Sequence, residues 1–228
     1  MSHASCPRVL TCGDPARARW AGVLGAWRPV DLPAVPARGD VDPLLDDLPA
    51  DARLVVAGDD AALAAVLVRL LRRERLDLEV ALLPAPDSAA AHVWGLPTDP
   101  GAALALARDG SARPAPLVRD DHGGLVAGRH TVGPVHGEVY CEEHRVLRGD
   151  AAELVVTPDP DAGVRVTVTG PPRLGGLRAG RVSERAGRAV QLGCRPAVTV
   201  VRDGVPADRA VSRRSWYRHT EDWRLVRP

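Results

Sequence analysis

The sequence predicts an α/β domain built on a parallel sheet over residues 1–112, followed by a mainly β, sandwich-like domain over 113–228. Three observations lead there. Strand-like and helix-like segments alternate through the first half with short connections, the pattern of a parallel sheet with helices packed on it. After about Ala112, short Val- and Thr-rich runs are separated by Gly, Pro and Asp, as in a sandwich or partly open barrel. Between the two, residues 109–121 carry Gly110, Pro114 and Pro116, which interrupt any regular pattern and place the boundary.

Each element follows from local chemistry. Val9-Leu10-Thr11 is a first strand, closed by Cys12-Gly13-Asp14-Pro15. Pro15 suits a first helical turn, where its missing N–H has no partner to lose, and that helix is expected to reach Trp27. Val30-Asp31-Leu32 is a weak second strand. Asp42-Pro43 opens a short helix through Leu48, which Pro49 stops. Residues 53–57 form a buried strand with Gly58-Asp59-Asp60 as its turn. From Leu63, the apolar Val66, Leu67, Leu70 and Leu71 share one helix face, with Arg69, Arg72 and Arg73 off that stripe. Residues 78–83 are a further apolar run ending at Pro84, and 101–107 another short helix. The second half offers strands at 124–127, 135–141, 152–157, 164–169, 189–192, 197–201, 215–219 and 224–226. Residues 164–169 alternate with period two, so one face of that strand is wet.

Composition excludes several classes. Hydrophobic residues make up 45% of 228, enough for a core and too many for a disordered chain. Thirty basic residues, all arginine, balance 29 acidic ones to a net charge of +1, which argues against a nucleic-acid binder. The start, Met1 to Arg8, has no apolar signal-like core, and the longest apolar stretch, 61–68, is far short of the ~20 residues of a bilayer span. Cys6, Cys12, Cys141 and Cys194 form no CxxC pair and no disulfide framework. A cytoplasmic protein is expected.

The chemistry-bearing candidates are few. Val56-Ala57-Gly58-Asp59-Asp60-Ala61 is a strand turning on glycine into a helix N-terminus, where free N–H groups and the helix dipole favour an anion. The same residues also suit a plain helix cap. Two adjacent aspartates repel a bare phosphate, so a divalent cation would have to mediate. Asp203-Gly204 between apolar residues is a hairpin turn signal. His130, His136, Cys141 and His144 lie close in sequence, but none has zinc-finger or zinc-ribbon spacing, and no metal ligands are assigned. Cys141 beside His136 or His144 is a weak nucleophile candidate.

The order of these features resembles the diacylglycerol kinase catalytic-domain family, bacterial soluble lipid kinases with an NAD kinase-like fold. The family carries a Gly-Gly-Asp-Gly-Thr turn after a strand; here Ala57-Gly58-Asp59-Asp60-Ala61 stands in that place, with the helix from Leu63 behind it. Its Leu-Pro strand end and Gly-Thr-Gly-Asn-Asp loop correspond to Leu83-Pro84 and Pro86-Asp87-Ser88-Ala89-Ala90, followed by Trp94-Gly95-Leu96-Pro97. Its Asp-Gly-Glu turn and final strand correspond to Asp203-Gly204-Val205 and Leu225-Val226-Arg227-Pro228. The resemblance implies ATP and Mg²⁺ as cofactors, held at Gly58, Asp59, Asp60 and Ser88, with a lipid hydroxyl attacking the γ-phosphate.

The departures matter as much. Asp60 and Ala61 replace a glycine and a threonine, the second loop lacks its glycines and its Asn-Asp pair, and the glutamate implied to be the base is Val205. The chain resembles a divergent and shortened member. Losing a general base costs ~10²–10⁴ in rate. Two readings follow: a weak kinase using Asp59 near Mg²⁺ and Asp203 as substitute base, or a non-catalytic nucleotide-binding, lipid-binding or partner protein on the same fold. A metal-dependent hydrolase around His136, Cys141 and His144 is a third. A transient, peripheral contact with membrane lipid is implied, nucleic acid is not, and a homo-oligomer is left open.

Overall fold

The computed structural model describes residues 7–24, 27–49, 52–172 and 180–228. They form two compact units, Met1–Ala115 with Glu221–Pro228, and Pro116–Thr220. Cys6 and the first residues, used above to judge a leader, lie outside the described residues.

The first unit begins with β1 (Arg8–Cys12), α1 (Asp14–Trp20), β2 (Val30–Leu32), α2 (Arg38–Asp46), β3 (Arg53–Gly58) and α3 (Asp60–Arg72). It continues through β4 (Glu79–Pro84), α4 (Ala89–Trp94), α5 (Pro100–Asp109) and β5 (Ala112–Ala115). The second unit holds β6 (Val118–Asp120), β7 (Leu125–Val126), β8 (His130–Val132), β9 (Val135–Cys141), β10 (His144–Ala151) and β11 (Glu153–Asp159). Then come β12 (Gly163–Thr169), β13 (Val182–Gly187), β14 (Ala189–Val198), β15 (Val200–Arg202), β16 (Val205–Pro206) and β17 (Val211–Arg218). The last strand, β18 (Trp223–Val226), returns to the first unit.

That return differs from a division at 112/113. The first sheet has the order β2-β1-β3-β4-β18-β5, parallel except for β5 against β18. A run such as Trp223-Arg224-Leu225-Val226 carries no local signal for which sheet takes it. Its partners do: Arg224 sits opposite Glu79 and donates to its carboxylate at 3.1 Å, and Trp223 meets Trp94 edge to face at 6.3 Å.

Both faces of the first sheet are covered, as a parallel sheet requires. Val9, Val55, Ala57, Ala81 and Leu83 pack with Trp20 of α1 and with Ala103 and Ala107 of α5. Strand side chains alternate, so Leu10, Leu54, Val56, Val80 and Leu82 point to the opposite face. The stripe Leu63, Val66, Leu67 and Leu70 of α3 is buried as its spacing requires. Two helix limits shift. α1 stops at Trp20 instead of Trp27: beyond it the N–H groups of Val23 and Trp27 donate three residues back, to the Trp20 and Leu24 carbonyls, in tighter turns. α2 starts four residues before Asp42, since the Asp40 carboxylate accepts from the Ala37 N–H at 2.8 Å and caps an earlier turn; Pro43 falls inside.

In the second unit two six-stranded sheets, β10-β9-β14-β17-β6-β7 and β13-β12-β11-β8-β15-β16, enclose a core that includes Val139, Val156, Val166, Val190, Leu192 and Trp216. Within β12, Val164, Val166 and Val168 are buried while Arg165, Thr167 and Thr169 are partly solvated, the alternation expected of this strand. β10 and β13 were not legible in advance. Each is an edge strand carrying arginines and acids, and an edge needs pairing on one side only.

Candidate functional site

In the first sheet the chain leaves β1 toward β2 on one side, whereas β3 and β4 lie on the other. Loops that diverge in this way open a crevice outside the carboxyl ends of the strands, the usual ligand position in an open α/β sheet. Here the crevice lies over the ends of β1 and β3. It is a cavity of about 120 Å³ lined by Cys12, Pro15, Trp20, Gly58, Asp59 and Pro86, among others. Gly58 and Pro86 are thus brought together, with the Ala85 N–H donating to the Gly58 carbonyl at 3.1 Å.

Gly58 has a packing reason of its own. A Cβ there would stand 2.9 Å from the Ala62 Cβ and 3.1 Å from the Cys12 Cβ, so the close approach of α3 to β1 already demands glycine. Asp59 is the N-cap of α3: its Oδ1 accepts from the Ala62 N–H at 2.9 Å. The side chain is otherwise exposed at the mouth of the cavity. Burial, followed by the charge of Asp59, pushes the Cys12 thiol up to about 12, so it stays protonated and is no nucleophile at neutral pH.

Asp60 does something the sequence did not announce. Its buried carboxylate crosses to the start of α4, accepting from the Ser88 hydroxyl at 2.5 Å, the Ala89 N–H at 2.8 Å and the Ala90 N–H at 3.3 Å. Ser88 Oγ in turn accepts from the Ala91 N–H at 2.9 Å. The anion at this helix start is therefore the protein's own. Charge-assisted bonds of this kind are roughly twice as strong as neutral ones, and they tie the end of β3 to the end of β4.

Asp203 belongs to the second unit, in the turn between β15 and β16 with φ of 48°. Its side chain is 1% exposed. One oxygen accepts from the Gly128 and Arg129 N–H groups, both at 2.8 Å, and the other from the Ala127 N–H at 3.2 Å. The Nε2 of buried His130 is 3.6 Å from that second oxygen. Trp216 Nε1 donates to His130 Nδ1 at 3.0 Å, so the ring proton is on Nε2, where it meets the Leu125 carbonyl at 3.1 Å. This carboxylate clamps the β7–β8 loop and offers no solvent-facing lone pair. Val205, in the position of the implied base, is an exposed apolar side chain.

The His/Cys group is divided between surface and core. His136 is an exposed residue bonded to Asp150 at 2.8 Å, His144 is exposed, and Cys141 lies in the core with its thiol pushed up by burial. Among the described residues, no three His, Cys, Asp or Glu are arranged to hold a metal ion.

Solved structures match along nearly the whole chain. A diacylglycerol kinase from Bacillus anthracis superposes with a TM-score of 0.70 at 10% identity, covering 97% of each chain. Two further structures from that organism, given the same family description, reach 0.72 at 8% and 9% identity over the same 97% of each chain. The chain has the diacylglycerol kinase fold. Identity this low speaks for shared architecture only. No protein-family profile matches the sequence, and no curated protein does either. Among the described residues no helix is long and apolar enough to cross a membrane.

Proposed function

We propose that this chain uses the diacylglycerol kinase fold without its phosphoryl-transfer chemistry, as a binding or partner protein. One observation carries the reading: the Asp60 carboxylate consumes the Ser88 hydroxyl and the Ala89 and Ala90 N–H groups, the donors a phosphate would need at the helix start that follows β4. Phosphoryl transfer rests on positioning and on neutralising phosphate charge, and a resident carboxylate does the opposite.

The residues of the first unit do not fit a triphosphate with Mg²⁺. The cavity of about 120 Å³ is small beside the ~300–1,000 Å³ of ordinary small-molecule sites, and the open depression of about 560 Å³ that shares Pro86 with it, lined also by Asp87 and Ser88, brings a further carboxylate. Pro86 has no N–H to offer, and Ala61 no hydroxyl. Mg²⁺ is usually held by one or two carboxylates together with substrate phosphates, and of the two aspartates here Asp60 is already committed. No catalytic step is therefore assigned. The loss of Val205's glutamate counterpart and the enclosure of Asp203 support the same reading.

A second reading has one observation in its favour. Asp59 is exposed and uses one oxygen for its cap, leaving Oδ2 for a cation in a weak, divergent lipid kinase. ATP consumption with diacylglycerol in mixed micelles separates the two. Equal background rates for the native chain and Asp59→Ala are expected. A rate above background that falls in Asp59→Ala would replace our reading with the kinase. Thermal stabilisation by ATP·Mg²⁺ without turnover would identify a nucleotide sensor; its absence at millimolar nucleotide would identify a partner protein.

A further inference from the structure

The cavity over the ends of β1 and β3 is small, but its lining has the make-up of a binding site. Its volume of about 120 Å³ is close to the ~150 Å³ of an apolar hole that takes up benzene. A single five- or six-membered ring fills such a space. Pro15, Ala16, Trp20, Ala34, Ala85 and Pro86 line it, with Ala16 and Trp20 buried. The Cys12 thiol, protonated at neutral pH, adds no charge. Such walls give water few partners, so a ring displaces it at little cost.

Two charged side chains interrupt this lining, and they differ in sign. Asp59 at the mouth uses Oδ1 to accept from the Ala62 N–H at 2.9 Å and keeps Oδ2 as an acceptor. Arg19 lies against the Trp20 ring, its guanidinium carbon 5.3 Å from the ring centroid, and its Nη2 donates to the Thr98 carbonyl at 2.6 Å. Among the described residues, its buried Nε has no acceptor. A buried donor without a partner is uncommon, and it costs free energy until something accepts from it. The lining therefore offers an acceptor and a donor whose charges cancel. A cation is opposed by Arg19 and an anion by Asp59, whereas a neutral group carrying both N–H and C=O meets neither penalty. An amide is such a group.

We propose that the crevice binds a neutral monocyclic amide, with its ring in the apolar cavity, its N–H toward Asp59 Oδ2 and its carbonyl toward the Arg19 guanidinium. The proposal names a ligand class for the binding reading above and rests on that reading. Every residue it uses belongs to the first unit. It asks for no phosphate, so the carboxylate of Asp60 at the start of α4 does not oppose it.

The test is calorimetric titration of the full chain with benzamide, beside benzoate and benzamidine, which keep the ring and change only the polar group. Benzamide is expected to bind with a dissociation constant on the order of 0.1–1 mM, and the other two at least about tenfold more weakly. Asp59→Asn keeps the oxygen that caps α3 and places an amide N–H₂ where the second oxygen stood. Benzamide should then weaken about tenfold with an unchanged thermal midpoint. Ala16→Leu, which fills the cavity, should abolish binding; if that variant does not fold, the loss in Asp59→Asn decides. No benzamide binding, equal binding of the three compounds, or affinity unchanged in Asp59→Asn would overturn the proposal. Such a result without ATP consumption removes the amide and leaves the binding reading standing, whereas ATP consumption that falls in Asp59→Ala removes both.

Discussion

Asp60 and Asp203 are the same device in two different settings. Each is a buried carboxylate that satisfies backbone N–H groups of a distant segment, and each occupies a position where a kinase-like reading expects chemistry. They differ in what they hold. Asp60 receives a hydroxyl and two N–H groups at the start of a six-residue helix that Ser88 also caps. Asp203 receives three N–H groups of an irregular loop whose Arg129 carbonyl also accepts from the Asp203 N–H at 2.9 Å, beside a His130–Trp216 pair in the core. A carboxylate at a helix start can stand in for a ligand; one inside a loop is part of the fold. Both explain why an aspartate in a glycine turn is poor evidence for catalysis.

The comparison can be broken most forcefully at Asp203. Asp203→Ala orphans two buried donors and a part-buried one, and leaves a left-handed residue without the aspartate that favours it, so a loss of about 3–5 kcal/mol is expected. Urea unfolding measures it, and a loss below ~1 kcal/mol would show that the loop holds itself. Asp60→Ala should cost less, about 2 kcal/mol, because it frees two N–H groups instead of three and the part-buried Ala89 N–H is within reach of water. It also vacates the anion position, so inorganic phosphate should stabilise Asp60→Ala more than the native chain in a thermal scan. Equal shifts would mean the carboxylate was not blocking an anion.

Gly58→Ala tests whether the turn glycine serves packing. With Cβ contacts of 2.9 and 3.1 Å, a loss of roughly 1–3 kcal/mol is expected without any ligand present. The smallest effect is acid sensitivity. Burial raises the Glu79 carboxyl, but the hydrogen bond and charge of Arg53, with Arg224 behind them, outweigh it and hold the group below its ordinary range. A carboxyl depressed in the folded state contributes stability above its unfolded value and loses it as pH falls through the folded one. The first unit should therefore weaken below the ordinary carboxylate range, and Glu79→Gln should flatten that part of the profile. Asp159 does the same for the second unit: burial raises it, while the Ala162 N–H and Arg165 lower it further. An unchanged acid profile in both Glu79→Gln and Asp159→Asn would remove these pairs from the account.

Much of the architecture was legible because periodicity is a local property. The stripe from Leu63 and the alternation of Val164, Val166 and Val168 each report which atoms must leave water, whatever they pack against. β10 and β13 escaped because edge strands tolerate arginine and glutamate as readily as loops do. The crevice was half legible. Gly58 and Asp59 lie at the strand end as their spacing predicts, and Pro86 is beside them. The role of Asp60 was hidden, since its partners are 28 to 30 residues away.

By itself, the sequence determined which segments are strands and helices, where the grammar changes, and which family pattern the order of turns follows. Tertiary structure alone decided that β18 joins the first sheet, that Asp60 fills an anion position and that Asp203 is sealed in a loop. The reason is range. Burial patterns are written every two or four residues, whereas a carboxylate's partner is chosen by whichever distant N–H groups the packed elements bring within 3 Å.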